Sequence, residues 1–203
     1  MTAPAGKYRL LGELGRGGMA TVYLAAVEGP SRFTKLVVVK QLHPELAVEL
    51  EFREMFLDEA RLAARLSHPN IVQTYEVMEG DGKFLLVMEY LEGQPLSNVR
   101  SRLARKKALA LPDQIRILCD VLEGLHAAHE ATDWDGTPLS VVHRDVSPHN
   151  IFVTYEGLVK VVDFGVAKAS TSSQRTQTGV IKGKISYMAV SYTHLRAHET
   201  VLD

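Results

Sequence analysis

Read as a pattern of apolar and polar positions, the chain begins in strands and continues in helices. Tyr8–Leu14 and Thr21–Val27 are short runs of strand character, joined by Gly15-Arg16-Gly17-Gly18-Met19-Ala20. Leu36–Lys40 is a third run, built on three consecutive valines. From about Leu50 to Leu66, the apolar residues Phe52, Met55, Phe56, Leu62 and Leu66 recur at threes and fours, the spacing of an amphipathic helix. Ser67-His68-Pro69-Asn70 stops that helix, because a proline disfavours helical backbone in the residue before it. Two more strands, Ile71–Met78 and Lys83–Tyr90, flank the turn Glu79-Gly80-Asp81-Gly82. After Gly93 the pattern turns helical. Leu96–Lys107 carries a basic, solvated face, and Pro112 opens a longer helix in which Ile115, Leu118, Leu122 and Leu125 form one apolar stripe. The turn residues of 133–138 predict a loop. Val141-Val142 then leads into His143–Asn150, and Ile151–Thr154 with Leu158–Val162 predicts a small hairpin around Glu156-Gly157. Five strands around one main helix, followed mainly by helices, predict an α+β fold with a small sheet lobe joined to a helical lobe.

Composition narrows this picture without redirecting it. The 203 residues are 46% apolar and 23% charged, enough to bury a sizeable core. A formal net charge of −1 gives no reason to expect nucleic acid or an anionic membrane surface as the main partner. No apolar run approaches the roughly 20 residues of a membrane span, and Met1–Ala5 lacks the character of a signal peptide. The single cysteine, Cys119, suits a reducing compartment. The expected location is therefore cytoplasmic, with a longer parent protein free to carry an anchor. Cys119 falls among apolar residues of a helical pattern and is expected to be a buried small hydrophobe rather than a nucleophile.

The chemistry starts at Gly15, Gly17 and Ala20, spaced as G-x-G-x-x-A. Taken alone the segment is equally a plain hairpin turn. A dinucleotide-binding loop would open a helix, but Thr21-Val22-Tyr23-Leu24 has strand character. A P-loop would need a glycine, four residues, then Gly-Lys-Ser/Thr. At Gly183-Lys184 the hydroxyl position is Ile185 and the first glycine is Thr178. A glycine hairpin can instead bring backbone N–H groups close to phosphate oxygens, because no Cβ blocks the approach.

Val37-Val38-Val39-Lys40, Glu59, His143-Arg144-Asp145-Val146-Ser147-Pro148-His149-Asn150 and Asp163-Phe164-Gly165 together resemble the motifs of eukaryotic-like protein kinases. Asp145 and Asp163 stand 18 residues apart, as they commonly do in that family, and Glu59 stands ten residues before Pro69. The resemblance implies a bilobal kinase fold: a five-stranded N-lobe with one main helix over about 8–90, and a truncated, mainly helical C-lobe over about 91–189. Residues 1–7 would be an N-terminal tail. It also implies roles. Lys40 would contact the α- and β-phosphates of ATP and pair with Glu59. Asp145 would orient or deprotonate the substrate hydroxyl, while Asn150 and Asp163 would hold Mg2+. Leu14, Gly15, Gly17, Val22, Val38, Met88 and Phe152 would surround the nucleotide, with the backbone of Glu89 and Leu91 bonding adenine. The implied partner is a protein substrate. Arg144 beside Asp145 suggests control by activation-loop phosphorylation, with Thr176 and Thr178 as expected phosphosites.

Three features depart from the family pattern. Ser147 stands where serine/threonine kinases usually carry a lysine, and Lys184 where many carry a threonine. The wording of Val141–Asn150 is similar to a bacterial subgroup in which such changes occur, so serine and threonine hydroxyls remain the expected acceptors. A pseudokinase or nucleotide-binding scaffold is the alternative function. The third departure follows Ala189, where Val190 and Ser191 replace the Pro-Glu of the family's Ala-Pro-Glu. Residues 190–203 read like translated sequencing-adapter DNA and are expected to be non-native. A chain stopping there would leave the Pro112–Ala131 helix partly uncovered, so this product is expected to be unstable and nearly inactive.

Overall fold

The computed structural model describes residues 7–29, 33–104 and 109–164. Five strands form one antiparallel sheet: β1 (Tyr8–Arg16), β2 (Ala20–Glu28), β3 (Thr34–Leu42), β4 (Thr74–Gly80) and β5 (Lys83–Glu89), in the order β1-β2-β3-β5-β4. Between β3 and β4 run a short helix, α1 (Pro44–Ala47), and the main helix of the lobe, α2 (Leu50–Arg65). The period-2 alternation of β3 explains how both sheet faces are used. Val37 and Val39 are fully buried on one face with Tyr8, Ala25, Leu85 and Val87. Val38 and Lys40 point to the other face, toward α2, where Leu42, Phe56, Ala60, Val72, Phe84, Leu86 and Met88 form a second core.

The second lobe begins with β6 (Gly93–Pro95), α3 (Leu96–Leu103) and α4 (Leu111–His129), then β7 (Ile151–Thr154) and β8 (Val159–Val161). The short strands form a three-stranded sheet, β6-β7-β8. Its core gathers Ile117, Val121 and Ala128 of α4 with Val141, Ile151, Val159, Val161 and Phe164. β6 packs so tightly on β7 that a Cβ at position 93 would collide with the backbone of Val153 and Thr154, so only glycine fits there.

Four expectations need correction. Ile71 does not enter β4; it bridges Val161, while the Asn70 carbonyl accepts from the Val161 N–H at 2.8 Å and the Val161 carbonyl from the Val72 N–H at 3.0 Å. Those bonds tie the end of α2 to the lower lobe instead of extending the upper sheet. On α4 the buried face is Ile117, Val121, Gly124 and Ala128, whereas Ile115, Leu118 and Leu122 are exposed and Leu125 is partly buried. The helix is apolar around much of its circumference, so spacing alone did not say which stripe meets the core. Cys119 lies on the side of the helix away from the core and is exposed, not buried. The α3 pattern also stops early, at Leu103, and residues 105–108 lie outside the described part.

Candidate active site

Lys40 is the convergence point of the cleft. Its Nζ lies 2.6 Å from Glu59 Oε1 on α2 and 3.0 Å from Asp163 Oδ1 beyond β8. The register explains the placement: Lys40 is opposite Val22 on β2 and Leu86 on β5, so the ammonium rises from an apolar row toward α2. Burial opposes the charge on Lys40, but the carboxylates of Asp163 and Glu59 outweigh it and hold its pKa well above 10.5. The same cation holds the Asp163 carboxyl below its ordinary value of 3.8, against the opposing effect of burial.

The second half of the site is a loop locked by its own polar groups. Asn150 donates through Nδ2 to the Asp145 backbone oxygen at 2.9 Å and to Asp145 Oδ2 at 3.0 Å. The side-chain oxygen of Asn150 is then left as an acceptor. Val162 donates its N–H to the Asn150 carbonyl at 3.0 Å, joining the loop to the segment that carries Asp163. His143 is buried beside Phe164, their ring centroids 4.6 Å apart. Its Nδ1 accepts the Asp145 N–H at 3.3 Å, and Nε2 lies 3.1 Å from the Val162 carbonyl, to which it donates in the matching neutral tautomer. Arg144 and Asp163 both adopt left-handed backbone, with φ of +61° and +55°. Strain of that kind persists where surrounding bonds enforce it, as they do here.

Burial pushes the His143 pKa below 6.5. The unfolded chain therefore takes up a proton before the folded one, so stability falls as pH drops from 6.5 through the folded value and is fully present above 6.5. The expected result is a urea midpoint that declines as pH falls below 6.5, with a shallower decline in His143→Gln; parallel curves would refute it.

The residues expected to contact a nucleotide are distributed over β1, the β1–β2 turn, β2, β3, β5, β7 and the segment after β5. Gly15 lies near the end of β1 opposite Val22, and Gly17 sits in the β1–β2 turn, which is closed by Gly17 N–H donating to the Ala20 carbonyl at 2.8 Å. Leu14 lies at a register shift of β1 and is exposed. Val38 faces Met88 across β3 and β5, and Phe152 occupies the central strand of the lower sheet opposite Lys160. Leu91 follows β5 and packs against the upper core. The structure also locates what pattern reading missed. Glu89 is held by Lys160 Nζ and by the Gln73 N–H, each at 2.6 Å, and its own N–H bonds the Gln73 carbonyl at 2.9 Å. The signal was available: a lone lysine inside the apolar run Leu158–Val162 demands a partner. Ser147 is 1% exposed, and its Oγ finds no partner among the described residues. Gly165, Thr176, Thr178, Lys184 and residues 190–203 lie outside the described part.

A divalent cation fits this donor set. Mg2+ typically takes one or two protein oxygens and completes its shell with phosphates and water, which the Asp163 carboxylate and the Asn150 oxygen can provide. Among the described residues no cluster of three His, Cys, Asp or Glu side chains forms an all-protein metal cage.

Comparison with known proteins agrees with the geometry. The family described as protein kinase domain matches residues 8–201. The chain is similar to the tyrosine-protein kinase MasK of Myxococcus xanthus, with 49% identity over 92% of this chain and 29% of that protein. It is similar to the serine/threonine-protein kinase PknA of Mycobacterium tuberculosis, with 38% identity over 91% of this chain and 41% of that protein. It therefore spans well under half the length of these relatives. Among solved structures, the kinase domain of Mycobacterium tuberculosis PknI superposes with a TM-score of 0.63 at 30% identity, over 81% of this chain and 62% of that one.

Proposed function

This chain belongs to the eukaryotic-like bacterial branch of the protein kinase family, and we propose that it forms the ATP- and Mg2+-binding core of an enzyme phosphorylating serine and threonine hydroxyls of protein substrates. The observation that supports this best is the joining of Lys40 to both Glu59 and Asp163, beside the Asn150–Asp145 pair. Phosphoryl transfer needs alignment and charge neutralisation more than covalent help. Lys40 supplies a fixed cation. Asp163 and Asn150 would hold the metal, which neutralises the phosphates when bound. Asp145, with Oδ2 pinned by Asn150, keeps its other carboxylate oxygen for the substrate hydroxyl, since that oxygen has no partner among the described residues.

The Glu89 N–H is already used by Gln73, so the adenine contact at that residue falls to its carbonyl, with the Leu91 N–H as the donor. Leu14, Gly15, Gly17, Val22, Val38, Met88 and Phe152 would enclose the nucleotide, and Thr176 and Thr178 would take regulatory phosphates read by Arg144. The pseudokinase alternative is disfavoured because Lys40, Glu59, Asp145, Asn150 and Asp163 are all present.

Tyrosine phosphorylation is a second reading. It is supported by the likeness to a relative named as a tyrosine kinase and by Ser147, whose buried side chain leaves no cation where serine/threonine kinases carry lysine. Radiolabelled ATP and phosphoamino-acid analysis decide between them. Phosphoserine and phosphothreonine are the expected products, mainly phosphotyrosine overturns the acceptor assignment, and no ATP-dependent label in the full gene product overturns the enzyme. We place the kinase domain in the cytoplasm, where ATP is available; no helix of the described residues is long and apolar enough to cross a membrane. The 203-residue chain alone is expected to be unstable and nearly inactive, since Leu111, Ile115, Leu118 and Leu122 of α4 are exposed. A sharp melting transition with robust phosphorylation by this chain would refute that.

A further inference from the structure

The turn between α4 and the His143 loop carries contacts that the phosphoryl-transfer chemistry does not use. It is a rigid turn. Thr132 bridges Pro138, the Asp133 N–H donates to the Thr137 carbonyl at 2.8 Å, and the Gly136 N–H donates to the Asp133 carbonyl at 3.0 Å. The Thr137 N–H donates to Asp135 Oδ1 at 2.9 Å, and Gly136 takes φ of +84°. Asp133 Oδ1 accepts the Trp134 backbone N–H at 2.7 Å, which restrains the carboxylate within the turn.

Both side chains meet one residue of the other lobe. Arg65, the last residue of α2, places Nη1 3.0 Å from Asp133 Oδ1 and its guanidinium carbon 4.8 Å from the center of the Trp134 ring. Trp134 is 90% exposed, so the ring does not fill a core. Its described contact is the cation stacked on its face. Arg65 also sits where a cation complements the helix C-terminus. Six residues earlier on the same helix, about 9 Å along its axis, Glu59 grips Lys40.

We propose that Asp133 and Trp134 are positioning residues for phosphoryl transfer: from the lower lobe they hold Arg65 at the last turn of α2, and through that helix they keep Glu59 on Lys40. The proposal rests on the kinase reading of the cleft and adds a contact between the lobes that sets the orientation of α2. Asn70 fixes the segment after the helix through Nδ2 to the Val159 carbonyl at 2.9 Å. The Arg65 clamp adds a second anchor on the helix itself, so the two resist rotation of α2 as one alone does not.

The test uses the full gene product, with steady-state kinetics against ATP at fixed Mg2+. Arg65→Ala, Asp133→Ala and Trp134→Ala are each expected to raise KM for ATP by about three- to tenfold, the range for a stacked cation with a partly exposed ion pair. Trp134→Phe restores most of the loss. Arg65→Ala combined with Trp134→Ala is no worse than the stronger single change. In a Glu59→Gln background, Arg65→Ala adds nothing. The proposal is overturned by unchanged KM in the single variants, or by an equal increase from Arg65→Ala with and without Glu59. Lys40→Ala is the control for the underlying reading: if it leaves KM for ATP unchanged, the assignment of the cleft fails together with the clamp.

Discussion

Asp145→Asn is expected to lower the rate of phosphoryl transfer by about 10²–10⁴-fold, the usual contribution of a positioned base, while nucleotide affinity stays within about twofold because Asp145 is not assigned to hold ATP. Asparagine keeps the shape and can still accept the Asn150 Nδ2 bond through its amide oxygen. It cannot take the proton of a hydroxyl or carry the charge that orients it. Asp145 is anchored by Asn150 and by its own N–H on His143, so the substitution leaves the loop in place. Single-turnover kinetics with ATP titration check this. A rate within tenfold of the parent, or a parallel loss of ATP binding, would remove Asp145 from its role.

Lys40→Ala is expected to cost about 10²–10³-fold in kcat/KM for ATP, the range for removing one fixed electrostatic group from a transition state. It also carries a structural cost that Asp145→Asn does not. The Glu59 side chain is only 13% exposed and would lose its counter-ion at a site where a carboxylate is poorly solvated. A lower melting temperature should accompany the lost activity, and Lys40→Ala with Glu59→Ala should recover stability without recovering activity. A stability loss that persists in the double variant would mean that the unpaired Glu59 carboxylate is not its cause.

The pairing of Lys40 with Asp163 is bounded by pH on both sides. Raised on Lys40, the pKa means the pairing is present below 10.5 and lost only as pH rises through the higher folded value. Lowered on Asp163, it means the pairing is present above 3.8 and lost as pH falls through the lower folded value. Near neutrality neither Lys40 nor Asp163 changes charge, so acid sensitivity there belongs to groups such as His143.

The strands and the main helix were legible along the chain because each depends on local chemistry. Three valines ending in a lysine make a strand with alternating faces, and apolar residues at threes and fours make α2. The motif spacing placed Asp145, Asn150 and Asp163 within one small hairpin's reach, where Val162 and Asn150 are indeed bonded. What pattern reading could not assign were choices made by packing. α4 carries two apolar stripes, and only the position of the lower sheet decided that Ile117 and Val121 enter the core while Ile115, Leu118 and exposed Cys119 do not. Ile71 has strand character, yet the lower lobe captured it through Val161. The ion pairs Lys160–Glu89 and Arg65–Asp133 join residues 71 and 68 positions apart. Periodicity reports which side of an element is apolar over one or two turns, and charge reports that a partner is needed. Which partner is met depends on the direction in which two distant elements cross, and only the tertiary structure fixes that.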